Sequence, residues 1–442
     1  MTPDSTNTDM KSGAVFGYFA PLTLLLYLSL PNGYGFDVAM TFILKDHLHA
    51  TAEQVAQFRM LMGIPLYFGL CFGLARDLWN PFGLRDRGFL ILFGSIAALA
   101  FLWLSLTPLT VNVMLAGMLL AVVCFAFISS AYQGLLALVG QERLMSGRLS
   151  VLWNTLINLP FAIAALAAGY IAEHLSPQQT FRLAAAFAAL IALYGILKPR
   201  SVYDHTYDQP VARGTTLAGD LRRLFRHRAI YPPVLIIFMF QFSPGSNTPL
   251  QYYLSDVLHA PDSVYGAFQG IFLLSFLPAF ALYAYLCKRV ALKKLLWVGT
   301  LIVVPQMMPL ALIHSATGAL LLAVPIGLMG GIAFAAYGDL SMRSCPPGLQ
   351  GTLMMMVAGG YELAWRGGDM LGAWLYARSP AHGFLHCVLV TAAVYALILP
   401  VLLLIPKELI ATADGERNPV VEVGVLAEIG EAVPAVPGAA AT

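Results

Sequence analysis

Charge is what this sequence has little of. Only 11% of its 442 residues are Asp, Glu, Lys or Arg, where soluble domains carry about 25%. That scarcity excludes a soluble enzyme and a disordered chain. Lys and Arg number 25 against 23 Asp and Glu, a net charge of +2. Such a balance excludes a nucleic-acid binder of the basic-patch kind, so no nucleic-acid partner is expected. Cysteine is also sparse. Cys71, Cys124, Cys287, Cys345 and Cys387 form no CxxC pair, and no Cys/His cluster has metal-ligand spacing. Neither a disulfide framework nor a metal site follows from them. There is no GxxxxGK run, so ATP-driven work by this chain has no support. No cofactor is implied.

What is abundant is apolar surface. Hydrophobic residues make up 59% of the chain, and mean hydropathy is +0.74. A membrane-crossing helix needs about 20 mostly apolar residues. Twelve such segments can be drawn, near 15–44, 54–75, 88–107, 110–140, 149–173, 180–198, 231–257, 263–287, 295–314, 316–341, 351–376 and 383–405. The first is too long for a signal-peptide core and is kept as a span. The expectation is an all-α membrane protein with twelve transmembrane helices, its outer faces in the lipid bilayer.

Polar stretches at 1–12 and 407–442 read as disordered tails. One long basic connection, 199–229, divides the rest into halves at 13–198 and 230–406. Of the 25 Lys and Arg residues, 20 fall on the side of the tails and this linker. Lys45, Arg182 and Arg378 fall on the other, and Arg59 and Arg366 lie inside spans. Basic loops stay in the cytoplasm. Both termini are therefore expected there, with the protein in a plasma (inner) membrane.

The halves repeat. At an offset of 210, Leu44, Asp46, Leu48, His49, Ala50 and Phe58 match Leu254, Asp256, Leu258, His259, Ala260 and Phe268. Both copies close the first span of their half. Two parallel six-helix halves on a basic linker resemble the major facilitator fold, whose substrate site lies between the halves near the midplane.

Four motifs extend that likeness. TFILKDHLHATAEQ (41–54) is similar to the signature closing the first helix of folate-biopterin transporters. LARDLWNPFGLRDRGFLIL (74–92), FSPGSNTPLQYYLSDVLH (242–259) and SCPPGLQGTLMMMVAG (344–359) resemble three further segments of that family. The resemblance implies secondary active transport of a pterin- or folate-like solute by alternating access, with a small molecule as partner and a monomer as the working unit. Muropeptide-type permeases and PucC-type pigment-assembly proteins share parts of these motifs and stand as alternatives. The chain departs from the family pattern at Asp86, in place of an Arg, at Gln350, in place of a Glu, and at 362–369.

That last stretch holds the strongest intrinsic signal. Glu362, Arg366 and Asp369 are spaced by four and three, so they share one helix face. Ionised groups at mid-membrane each cost about 2.5–3.5 kcal/mol on insertion scales, so they face protein or water. Glu362 and Asp369 are candidate proton sites, and Arg366 is a candidate holder of an anionic group. Glu362 and Arg366 can also pair within the helix. Asp37 follows a Pro31–Gly35 break in the first span and is a third proton-site candidate. The seventh span is broken at 243–247, and unwound backbone at membrane depth lines a cavity or is buried. Gln241, Asn247 and Gln251 flank that break as substrate-binding candidates. Gln133, Asn154 and Asn158 are further polar positions within spans. Tyr34, Trp153, Tyr361 and Trp365 are aromatic rings that can stack on a planar solute or serve packing.

Gating is expected from the loop after the second span, with Arg76, Asp77, Arg85 and Arg87. Glu142 and Arg143 join it from the fourth span, and Asp339 and Arg343 from the tenth. Paired small residues, Gly327/Gly331 and Gly368/Gly372, suit close helix packing.

Overall fold

A computed structural model describes residues 5–31, 40, 43–203, 217–379 and 382–416. Among these, every regular element is helical. The first half runs α1 (Ser5–Ser29), α2 (Ala52–Tyr67), α3 (Gly69–Leu78), α4 (Asp86–Leu106), α5 (Val111–Glu142), α6 (Ser146–His174) and α7 (Pro177–Tyr194). The linker contributes α8 (Leu217–Arg226). The second half runs α9 (Tyr231–Gln241), α10 (Thr248–Tyr252), α11 (Asp262–Leu286), α12 (Leu292–Val303), α13 (Ala316–Arg343), α14 (Gln350–Arg378), α15 (Gly383–Ala396) and α16 (Ile398–Leu402).

Among the described residues, seven helices are each long and apolar enough to cross a membrane. α2 and α3 act as an eighth span, bent by 41°. The bend follows Pro65, which removes one helix hydrogen bond and crowds the preceding turn. α6 and α14 are 29 residues each. α14 is the less apolar of the two because it carries Glu362, Arg366 and Asp369, the groups singled out above. α9 and α10 are the two pieces of the broken seventh span. With α2–α3, α9–α10 and α15–α16 each taken as one segment, the element order follows the twelve segments expected from hydropathy.

The internal repeat is visible in the backbone. Residues 43–47 and 253–257 each form a widened helical turn. Leu48 N donates to Ile43 O at 3.0 Å, and Leu258 N to Tyr253 O at 3.2 Å. Ala50 N donates to Leu44 O at 2.8 Å, and Ala260 N to Leu254 O at 2.9 Å. His49 and His259 sit at φ 50° and 48°, a region that non-glycine residues seldom adopt. The six matched residues thus specify one local structure twice.

Helix starts differ between the two ends of the molecule. Away from the linker, Thr51, Thr110, Ser176 and Ser315 cap α2, α5, α7 and α13 with their own side chains. At the linker end, α6 and α14 receive their caps from other parts of the chain, as described below. The residues expected to be disordered from 407 onward are packed as far as 416. Lys407–Ile410 form a helical turn, and Ala413 and Asp414 are buried. α1 likewise begins at Ser5, inside the expected N-terminal tail.

Candidate substrate site and gate

The two halves meet along α3 and α14. Gly69 and Gly73, one helical turn apart, lie directly on the α14 backbone. A methyl group on Gly73 would stand 2.5 Å from Gly351 O and 2.6 Å from Thr352 Cα. Only hydrogen fits there, so the helices touch backbone to backbone.

Asp77 locks the linker end of this seam. It accepts from Gly351 N at 3.1 Å, and from Thr352 N at 2.7 Å and Thr352 Oγ1 at 2.6 Å. These are orphan donors of the first α14 turn, where a carboxylate also complements the helix dipole. Arg76 backs the lock. Its Nη1 donates to Asp77 Oδ1 at 2.8 Å, and its Nε and Nη2 donate to the two Asp86 oxygens at 2.6 and 2.8 Å. Asp86 is the departure from the family pattern, and here it is Arg76's bidentate partner. Gly134 on α5 leaves room for that guanidinium. A methyl there would stand 2.7 Å from Arg76 Cζ.

More inter-half bonds cluster at the same end. Gln141 Nε2 donates to Cys345 O at 2.8 Å, and Gln350 Nε2 to Gln141 Oε1 at 3.3 Å. Ser150 Oγ on α6 donates to Ala335 O on α13 at 2.7 Å. Within the second half, Arg343 pairs with Asp339 at 2.8 Å and donates to Thr412 O at 3.0 Å. Asp414 accepts from Gly147 N at 3.1 Å and from Arg148 Nε at 2.7 Å. Burial, and after it the Asp339 carboxylate, raise the Asp414 carboxyl above its ordinary range, while Arg148 opposes them.

The remaining gate candidates lie elsewhere in this region. Arg87 donates to Gly195 O at 2.9 Å and Ile196 O at 2.6 Å, tying α4 to the end of α7 within one half. Arg85 is exposed at the start of α4, where its N–H donates to Asn80 Oδ1 at 2.6 Å. Glu142 and Arg143 close α5.

The substrate candidates sit deeper. Arg366 lies near the middle of α14, about 22 Å along the helix from Gly351 at 1.5 Å per residue. Its guanidinium reaches back to α2. Cζ is 6.0 Å from the Tyr67 ring centre and 5.6 Å from that of Trp365, and Gly63 leaves the space beside it. Among the described residues, no ion pair joins it to Glu362, although one turn separates them. Arg366 is exposed, with its guanidinium toward Tyr67 of the other half and its charge still acting on Glu362. Asp369 is committed locally. Its oxygens accept from Thr248 N and Thr248 Oγ1, both at 2.9 Å, which caps α10 after the break. Gly368 and Gly372 pack against the same break, with Ser243 N 2.9 Å from a methyl on Gly368.

Gln241 and Asn247 are half-buried at either side of the break, and Gln251 is exposed. Asn154 Nδ2 donates to Ser150 O at 2.9 Å, and Asn158 Nδ2 to Asn154 O at 2.7 Å. Both are buried on α6, and Asn154 faces Gly338 of α13. Gln133 is buried on α5, with Oε1 lacking a hydrogen-bond partner. Trp153 Nε1 donates to Tyr27 OH at 2.9 Å, a packing role within the first half. Asp37 and Tyr34 lie outside the described residues.

Asp86, Gly134, Tyr67, Thr352 and Asp414 complete the site, and of these only Asp86 lies in the loop expected to form the gate. Asp86 alone carried a signal, as an acidic residue where the family has a base.

The model of the Major Facilitator Superfamily matches residues 22–368. The chain belongs to the major facilitator superfamily. It is a membrane transporter and not an enzyme. Over 365 residues it is 24% identical to a folate-biopterin transporter of Synechocystis sp. (strain ATCC 27184 / PCC 6803 / Kazusa), covering 76% of this chain and 71% of that one. It is 20% identical to folate transporter 2 of Plasmodium falciparum (isolate 3D7) over 338 residues, 73% of this chain and 72% of the other. Among solved structures, the E. coli fucose:proton symporter superposes with a TM-score of 0.68 at 15% identity, over 89% of this chain and 98% of that one. A bacterial homologue of the iron transporter ferroportin, in an outward-facing state, gives 0.64 at 16% identity, over 88% and 98%.

Proposed function

We propose that this superfamily member carries a pterin- or folate-like organic anion across a plasma (inner) membrane, by alternating access coupled to protons. The carrying observation is Arg366, a mid-helix guanidinium turned toward the opposite half between the rings of Tyr67 and Trp365. A guanidinium binds a carboxylate or a deprotonated ring edge. Flanking aromatics suit a flat heterocycle. The likeness to two proteins named as folate or folate-biopterin transporters supports the same solute class. The 20-to-3 bias of basic residues supports cytoplasmic termini. On that topology, the bonds at the linker end close the cytoplasmic side, and the substrate site opens outward.

Glu362 is the coupling candidate within the described residues, one turn from Arg366 on α14. Asp37 is the other candidate. Gln133, Gln241, Asn247, Gln251, Asn154 and Asn158 supply polar contacts around the solute, and Asp369 holds the broken α9–α10 span in shape.

The test is uptake of labelled folate and biopterin into proteoliposomes, with and without an inward proton gradient. Gradient-driven accumulation of either is expected. Glu362→Gln should abolish uphill uptake and retain solute exchange. Uphill uptake that survives in both Glu362→Gln and Asp37→Asn removes the coupling assignment. Absence of uptake by folded, correctly oriented protein removes the solute assignment.

A further inference from the structure

α6 and α14 begin alike. Each has a glycine at its second helical position, Gly147 and Gly351, and a leucine two residues later, Leu149 and Leu353. Three residues before each glycine the backbone turns through positive φ, at Leu144 (53°) and Gly348 (79°). These helix starts are counterparts in the two halves. The α14 start is capped by Asp77, from the last turn of α3. The repeat offset of 210 places Cys287, after α11, at the position of Asp77. A thiol cannot replace that carboxylate, and Cys287 Sγ donates to Ala284 O at 3.4 Å. The second half therefore lacks its capping acid at the expected position.

We infer that Asp414, beyond the last span, supplies that missing carboxylate and is a gate residue holding the linker end shut. Its two oxygens take the same two helical positions that Asp77 takes. Oδ1 accepts from Gly147 N at 3.1 Å, and Oδ2 from Arg148 Nε at 2.7 Å. Its own N–H donates to Cys287 O at 2.8 Å, so the residue that lost the carboxylate seats the one that replaces it. Thr412 O accepts from Arg343 Nη1 at 3.0 Å, which anchors the strap to the end of α13. The backbone of 412–414 is thus fixed to the second half, and the Asp414 side chain reaches the first. Separation of the halves at this end breaks both side-chain bonds. The Asp414 side chain is 1% exposed, so those bonds are held away from water and count for more than surface pairs.

The inference rests on the alternating-access reading, and the experiment separates the two. Spin labels at Phe82 and Lys294, exposed on opposite halves at the linker end, report its width by pulsed electron resonance on the full chain in nanodiscs. Asp414→Ala is expected to shift the population toward the wide distance about tenfold, as for loss of a charged hydrogen bond. Asp77→Ala shifts it the same way. Arg148→Met tests the bond from the other side. If the two residues act through one contact, Asp414→Ala adds little to Arg148→Met. A tail that merely stabilises its own half would give additive effects and no widening. A chain ended after Ala413 repeats the test should the point variant fold poorly. A native distance distribution in Asp414→Ala and the truncated chain, with widening in Asp77→Ala, overturns the inference and leaves alternating access standing. No widening in any variant overturns both.

Discussion

Arg366 is a charge placed where a membrane helix rarely tolerates one, and its surroundings explain the tolerance. The guanidinium is exposed, and two aromatic rings and a glycine lie beside it, so polarisable surface takes up part of its charge. Arg366→Met is expected to raise KM for an anionic solute by about ten- to a hundredfold, the range for a charged hydrogen bond. Arg366→Lys should recover little of that loss, because an ammonium offers no planar fork. Uptake kinetics over a substrate series measure both. Gly134 gives a second residue-scale outcome. Gly134→Leu displaces the Arg76 guanidinium and should loosen the linker end without removing any polar group. Labelling of the native Cys345, buried at that end, by a membrane-impermeant thiol reagent should then accelerate. At this scale the sequence was informative about residue type and weak about partner. Intramembrane charges stand out against apolar neighbours, so Glu362, Arg366 and Asp369 were legible. The spacing of Glu362 and Arg366 suggested a pair within the helix. The side chain instead turned to α2, a choice set by packing between segments about 300 residues apart.

Single helices show a similar division between local and remote control. Thr51 and Gln54, and Ser176 and Gln179, form reciprocal caps within four residues, a signal readable from sequence. The α10 cap was not readable, because Asp369 reaches Thr248 from 121 residues away. The sequence showed that the seventh span breaks at 243–247, and left open what holds the break. Asp369→Ala is expected to cost about 1–2 kcal/mol, in the upper range for a lost cap, measurable as a lower denaturation midpoint in detergent. The α3–α14 seam supplies a contrasting case. Gly73→Val should push the two helices apart and favour separation at the linker end, with solute binding from the opposite end retained. Distance measurements across the seam, together with a binding assay, check that outcome.

For the molecule as a whole, hydropathy, loop charge and one fifteen-residue repeat were enough to read an all-helical membrane protein of the major facilitator kind. That succeeds because a bilayer leaves helices as almost the only way to satisfy the backbone. Which face of each helix meets which neighbour was not legible, since apolar residues line both lipid and core in such a protein. The structure supplies that missing layer, with its inter-half bonds gathered near one end. Gln141→Cys with the native Cys345 should allow a crosslink at that end which stops transport, and reduction should restore it. Uptake before and after reductant measures this.

The placement of helix caps gives the two ends unequal endurance. Thr51, Thr110, Ser176 and Ser315 travel with the helices they cap, so parting the far end strips nothing from them. Parting the linker end strips Asp77 from α14 and Asp414 from α6. At about 1 kcal/mol per cap, that asymmetry amounts to roughly thirtyfold in population. An idle carrier is therefore expected to favour the state with its linker end shut.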